Sequence, residues 1–149
     1  MISRRLPLKA ALFFMTSLVF FALPLRLSPQ ESKAEWLKKF KHARYVAFSW
    51  GGSIERYQLS LLTDSLKGEM VDDMINWRQK ARTAVANLKG CHTQYQSACG
   101  LLEEIIVLLG NQESICTGKE YVMAHLDEWR ENKKKIKQLH KELNGVLKL

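Results

Sequence analysis

Residues 91–109 read CHTQYQSACGLLEEIIVLL and carry the clearest heptad pattern in the chain. Apolar and small residues recur at alternating steps of four and three, and the second half of the segment is apolar on nearly every side. The heptad positions are Cys91, Tyr95, Ala98, Leu102, Ile105 and Leu109. Because such a helix needs cover from several directions, we expect it at the centre of a helical bundle, with Gly110 and Asn111 ending it.

The C-terminal segment repeats this spacing. Thr117 and Glu120 fit a capping box, which predicts a last helix from Thr117 nearly to Leu149. Its heptad positions are His125, Trp129, Asn132, Ile136, Leu139, Leu143 and Val146. We expect its second half to project as a two-stranded coiled coil, either with the long second helix or with another chain.

Two further helices are predicted before residue 91. Ser28 and Pro29 suit a helix start, and the first helix should end near Phe48, ahead of Gly51 and Gly52. Its apolar face suits packing in the bundle or lying on a membrane surface, and both alternatives stay open. The second helix should span residues 54–89, with Gly68 as a weak point where it could break.

All three prolines lie within the first thirty residues, which leaves 120 residues rich in helix-forming side chains. No strand-like alternation competes with the helical pattern. The predicted fold class is therefore all-α: an N-terminal hydrophobic anchor helix in residues 1–27, followed in residues 28–149 by an antiparallel three- or four-helix bundle with coiled-coil character.

Residues 10–25 contain no charged side chain and form the predicted membrane anchor. As a helix they would span about 24 Å, slightly less than the hydrocarbon core of a bilayer. Basic residues precede them, as in a cleaved secretory signal, but no small-x-small cleavage triplet follows directly. The anchor residues are Leu12, Phe13, Phe14, Leu18, Val19, Phe20, Phe21 and Leu23.

The anchor predicts a single-pass membrane protein of the secretory pathway. A cleaved signal is one alternative, and a mitochondrial membrane is another because the first acidic residue is Glu31. Positive charges flank the anchor on both sides, so the side of the membrane that holds the body stays open.

Charge and motifs limit the partners and the chemistry. Four of the 23 Lys and Arg residues lie in the anchor region, which leaves 19 in the body against 15 Asp and Glu. This mild excess suits anionic lipid headgroups better than nucleic acid, so we expect the lipid bilayer and no nucleic acid as a partner. The chain lacks paired metal-ligand spacings, phosphate-binding loops and nucleophile motifs, so we expect no enzyme activity, no cofactor and no small-molecule substrate.

The three cysteines, Cys91, Cys99 and Cys116, do not form an even disulfide framework. In an oxidising compartment one pair would close and one thiol would stay free, or a bridge to a second chain would form. In a reducing compartment we expect three buried thiols.

These features predict a membrane-tethered adaptor, scaffold or assembly subunit that acts by association with a helical protein or with itself. The alternative is a secreted helical-bundle ligand released by signal cleavage. The predicted interaction seam consists of Tyr95, Leu102, Ile105, Leu109, Trp129, Ile136, Leu139 and Leu143.

Overall fold

The computed structural model describes residues 31–149, and this part of the chain is all-α, as predicted. The five helices are α1 (Lys33–Leu62), α2 (Gly68–Ala86), α3 (Gln96–Ile115), α4 (Lys119–Ala124) and α5 (Leu126–Leu147), and a short 3₁₀ turn (Thr93–Tyr95) precedes α3. The predicted anchor and the predicted helix start at Ser28 and Pro29 lie outside the described residues. None of the helices between residues 31 and 149 has the length and apolar character needed to cross a membrane.

The long helices alternate in direction. Helices α1 and α2 form an antiparallel hairpin, and α3 packs against both α1 and α5. The short α4 contacts α1 and turns the chain into α5, which returns antiparallel along α3. Helix α3 therefore lies between the α1–α2 hairpin and the C-terminal helix, which fits its predicted central position.

The core forms where α1 and α3 face each other. Leu102 and Ile105 of α3 are completely buried, as are Phe40 and Trp50 of α1. Phe40 also contacts the ring of Tyr95, with 5.3 Å between ring centroids. The apolar face of α1 therefore packs inside the bundle, which was one of the two alternatives for this helix.

The helix break predicted at Gly51 and Gly52 is wrong, because α1 continues through both glycines to Leu62. A Cβ atom at Gly51 would lie 3.3 Å from Leu109 Cδ2, so a glycine here lets α1 approach α3 closely. Ser53 does not cap a new helix; its Oγ donates to the Trp50 carbonyl 2.7 Å away. The chain turns instead at residues 63–67, next to the weak point predicted at Gly68.

Two predicted boundaries near α3 are also wrong. The helix begins at Gln96 rather than Cys91, and it continues through Gly110 and Asn111 to Ile115. Ile115 and Cys116 are buried at its C-terminal end. Their burial offsets the cost of a glycine inside a helix, about 1 kcal/mol relative to alanine.

The single last helix predicted from Thr117 is two helices in the structure. Helix α4 begins after Gly118, with no side-chain cap, and the chain breaks at His125 before α5. Val122 of α4 and Trp129 of α5 are both buried. The break lets these two side chains reach the core from differently directed helices.

Candidate functional site

A groove of about 360 Å³ opens between α1 and α5, with α3 along its base. Side chains that are mostly apolar line it: Ala47, Ile54, Leu109, Trp129 and Ile136, together with Gln112. On the α1 side, Gly51 and Gly52 present no side chains to this space. The two glycines therefore leave space open on the α1 wall of the groove.

Polar side-chain contacts bridge α1 and α5 at both ends of the groove. Arg44 donates a hydrogen bond to Asn144 Oδ1 at one end. At the other end, Lys133 Nζ lies 2.5 Å from Glu55 Oε1. Arg44 and Glu55 are eleven residues apart on α1, so the two bridges are separated by about 16 Å. The space between them is short and bounded, which suits an inserted side chain better than a long ligand.

Gln112 is the one strongly buried polar side chain of the groove, with 4% of its surface exposed. Its Nε2 donates to the Trp129 carbonyl oxygen at 3.3 Å. Its Oε1 accepts no hydrogen bond from the residues that the structure describes. A buried acceptor without a donor costs about 1–3 kcal/mol. Because this oxygen is itself shielded from solvent, an N–H or O–H group of a ligand would reach it only after a shift of the Gln112 side chain.

Phe48 and His140 form part of the groove rim. Phe48 is 70% exposed, and its ring meets the edge of His140 with 5.9 Å between centroids. Burial, and to a lesser degree the Arg44 guanidinium, lowers the pKa of His140 below its ordinary value of 6.5. His140 is therefore neutral at pH 7 and adds aromatic surface rather than charge.

A row of lysines runs along α5 beside the groove. Lys134, Lys137 and Lys141 are spaced by three and four residues, which places them on one face of the helix. All three are exposed, and none forms an ion pair within residues 31–149. In contrast, Lys135 lies 3.5 Å from Glu104 on α3. We refer to Lys134, Lys137 and Lys141 as the lysine row.

Most residues of the predicted interaction seam lie inside the chain's own core. Six of them have 6% or less of their surface exposed: Leu102, Ile105, Leu109, Trp129, Leu139 and Leu143. Tyr95 and Ile136 are partly buried against the same core. The structure thus brings the seam together within one chain, and Leu109, Trp129 and Ile136 also line the groove. Binding of a partner by the seam stays a prediction.

A second polar cluster joins three helices away from the groove. Glu113 Oε1 accepts a hydrogen bond from Trp50 Nε1 at 3.3 Å, and Glu113 Oε2 accepts one from Arg78 at 2.6 Å. The Arg82 guanidinium lies over the Trp50 ring. Because both carboxylate oxygens of Glu113 have partners, this cluster connects α1, α2 and α3 and presents no unused acceptor.

The sequence prediction missed Gln112, although a signal for it exists. The heptad positions of α3 end with the step from Ile105 to Leu109, and the next step of three reaches Gln112. Ending the helix at Gly110 removed this residue from the pattern. A polar side chain at a core position of a heptad is the feature that would have indicated it.

The described residues hold no cluster of three or more His, Cys, Asp or Glu side chains that could bind a metal ion. No protein-family model, curated protein or solved structure matches this chain. The groove, its unsatisfied acceptor and the lysine row are therefore the observations from which we infer a function.

Proposed function

We propose that this protein is a non-enzymatic, membrane-tethered interaction protein whose groove binds an acidic amphipathic helix of a partner protein. The observation that carries this proposal is the apolar groove with the unsatisfied Gln112 Oε1 at its base and the lysine row beside it. The tether is the anchor predicted in residues 10–25. It raises the local concentration of the bundle at the membrane.

The shape and chemistry of the groove favour one anchoring side chain. At about 360 Å³ it lies at the small end of ligand pockets. Most of its lining surface is apolar, and the buried side-chain atom without a hydrogen-bond partner, Gln112 Oε1, is an acceptor. Tryptophan and tyrosine combine a large apolar ring with an N–H or O–H donor, which matches both features. We infer that such a residue of the partner helix inserts here, shifts the Gln112 side chain and donates to its Oε1.

The lysine row determines the charge of the partner. Its three ammonium groups extend over seven residues of α5, about 10 Å, without carboxylates of their own. A helix lying along α5 that carries acidic residues at steps of three and four would meet all three. Ion pairs at such a rim contribute mainly to association rate and specificity, and they weaken with salt.

The test uses a benzophenone amino acid at position 48, on the rim of the groove, in the full-length chain expressed in its native cell. Illumination of the membranes should give an adduct with a polypeptide. The same photoreactive residue at position 83, on the exposed side of α2, is the control for nonspecific labelling. We expect the adduct from position 48 to be at least tenfold more abundant.

Three variants of the position-48 protein make the test specific for the groove. Lys137→Glu should reduce the adduct about tenfold, whereas Lys80→Glu, the same charge change on α2, should leave it unchanged. Gln112→Leu should also reduce the adduct. It should leave the stability of the fold nearly unchanged, because removal of a buried acceptor that has no donor offsets loss of the hydrogen bond from Nε2 to the Trp129 carbonyl. A variant that binds less but is equally stable distinguishes loss of binding from loss of structure.

Four outcomes would contradict the proposal. An adduct that Lys137→Glu leaves intact would show that the lysine row has no role. An adduct with lipid alone would make the groove a lipid site, and an adduct with a second copy of this chain alone would indicate self-association in place of a separate partner. Equal labelling from positions 48 and 83 would remove the groove as a binding site.

A further inference from the structure

Cys91 and Cys99 are in contact, at the opposite end of α3 from Gln112. Their Sγ atoms lie 2.9 Å apart, and both side chains are partly exposed. Gly90 adopts a left-handed conformation with φ +78°, and this turn returns the chain after α2 so that Cys91 faces the first turn of α3. A disulfide bond needs about 2.05 Å between the sulfurs, so closing the pair requires a movement of about 0.9 Å.

We propose that Cys91 and Cys99 form a dithiol–disulfide site that closes with a disulfide oxidant and fastens the α2–α3 connection to α3. Cys116 takes no part, because it lies seventeen residues beyond Cys99, about 25 Å along α3. The Cys116 side chain is buried, and its Sγ lies 3.6 Å from the Gln112 carbonyl oxygen. This inference does not depend on the groove or on the function proposed for it.

A small cavity gives an oxidant access to the pair. It has a volume of about 210 Å³, and both sulfur-bearing residues line it together with Lys89, Gln96 and Glu103. Burial and contact with Cys91 raise the pKa of the Cys99 thiol to about 12, so Cys99 ionises with difficulty. We assign the first attack on an incoming disulfide to Cys91, which lines this cavity, and the second to Cys99.

The reaction is two thiol–disulfide exchanges. The Cys91 thiolate attacks one sulfur of a small-molecule or protein disulfide, which forms a mixed disulfide and releases one thiolate. That thiolate takes the proton of Cys99, whose sulfur then attacks Cys91 Sγ and displaces the second thiolate. Two protein thiols are oxidised, the external disulfide is reduced to two thiols, and no other co-reactant is needed.

Closure would affect the end of the bundle where α1 begins. Tyr95 lies between the two cysteines in the sequence. Its ring contacts Phe40, and its hydroxyl donates to the Lys33 carbonyl at 3.4 Å. A covalent link from residue 91 to residue 99 restricts this loop in the unfolded chain. We expect the oxidised protein to melt roughly 5–10 °C above the reduced protein.

The experiment treats the reduced full-length chain with oxidised glutathione, blocks the remaining thiols by alkylation and measures the intact mass. We expect a monomer with one alkylated cysteine, which peptide mapping assigns to Cys116. Cys116→Ser should close equally well, with no thiol left to alkylate. Cys91→Ser and Cys99→Ser should each lose both the internal bridge and the rise in melting temperature.

Three alkylated cysteines after this treatment would overturn the proposal. A disulfide that includes Cys116, or one that joins two chains, would also overturn it. If Cys99→Ser fails to fold, Cys91→Ser and the peptide map of the unsubstituted chain still decide the result, because each identifies the bonded cysteines directly.

Discussion

Gln112 and Glu113 are neighbours on α3, but the side-chain oxygens of the two residues differ in their hydrogen-bond partners. Both carboxylate oxygens of Glu113 have hydrogen-bond donors on other helices, so this partly buried group connects α3 to α1 and α2. The Gln112 Oε1 atom has none among the described residues. Buried polar groups are nearly always satisfied, and local violations of this rule are expected at functional sites. At the scale of single residues, this contrast separates the groove from the Glu113 cluster.

His140 provides a prediction about pH at the same scale. Arg44 of α1 and Lys137 of its own helix are the cations near it, and α3 presents no charged side chain to the groove. Because its pKa is lowered in the folded state, the unfolded chain binds a proton first as the pH falls below about 6.5. The free energy of unfolding should therefore decrease with acidification, by less than about 1.4 kcal/mol per pH unit from this group.

Denaturant unfolding at pH 5, 6, 7 and 8 measures the predicted decrease in the free energy of unfolding on acidification. His140→Gln should flatten the pH dependence between pH 5 and 7, whereas His42→Gln, at an exposed position outside the groove, controls for the loss of one imidazole. If the two variants show the same slope as the unsubstituted protein, burial of His140 does not contribute to the pH dependence of stability.

At the scale of helices, local sequence predicted the kind of element better than its ends. The heptads of α3 and α5 predicted helices correctly because apolar periodicity reports which face is buried. The break at Gly51 and Gly52 was wrong because glycine propensity, about 1 kcal/mol per residue, is smaller than the gain from packing α1 on α3. The break at His125 was missed because it depends on how α4 and α5 reach the core.

The close approach of α1 to α3 at Gly51 gives a prediction at the scale of helices. Gly100 lies in exposed helix, and a Cβ atom there would meet nothing within 4 Å. Gly100→Ala should therefore stabilise the fold by about 1 kcal/mol through helix propensity alone. At Gly51 the added Cβ would crowd Leu109 Cδ2, so Gly51→Ala should stabilise the fold by less than half as much as Gly100→Ala. Thermal unfolding of the two full-length variants, followed by circular dichroism, makes the comparison.

Equal stabilisation by the two alanines would show that the contact between α1 and α3 has room for a methyl group. The close approach of these helices would then not explain why α1 continues through two glycines. A loss of stability in Gly51→Ala would fit the close approach and would show that Leu109 cannot move aside.

The groove belongs to the scale of the whole molecule and could not be read from the sequence. Its width depends on the distance between α1 and α5, which are 70 or more residues apart along the chain where they face each other. The sequence contains five lysines between residues 133 and 141, but local sequence could not show that Glu55 and Glu104 engage two of them. The unpaired lysine row emerges only from packing.

The tether is the last prediction, and it concerns the molecule in its cell. If residues 10–25 anchor the protein, alkali-washed membranes should retain it with the intact mass of the full-length chain. The double substitution Leu18→Arg and Phe20→Arg should release it, because each arginine at the centre of a membrane segment costs about 2.5–3.5 kcal/mol. Val107→Arg, on the exposed side of α3, is the matched control and should stay in the membrane fraction. A shorter chain in the soluble fraction would instead indicate signal cleavage and a secreted bundle.

The redox state of Cys91 and Cys99 in the recovered protein, with thiols blocked at lysis, shows which side of the membrane the body occupies. A closed pair indicates an oxidising compartment, and an open pair indicates a reducing one.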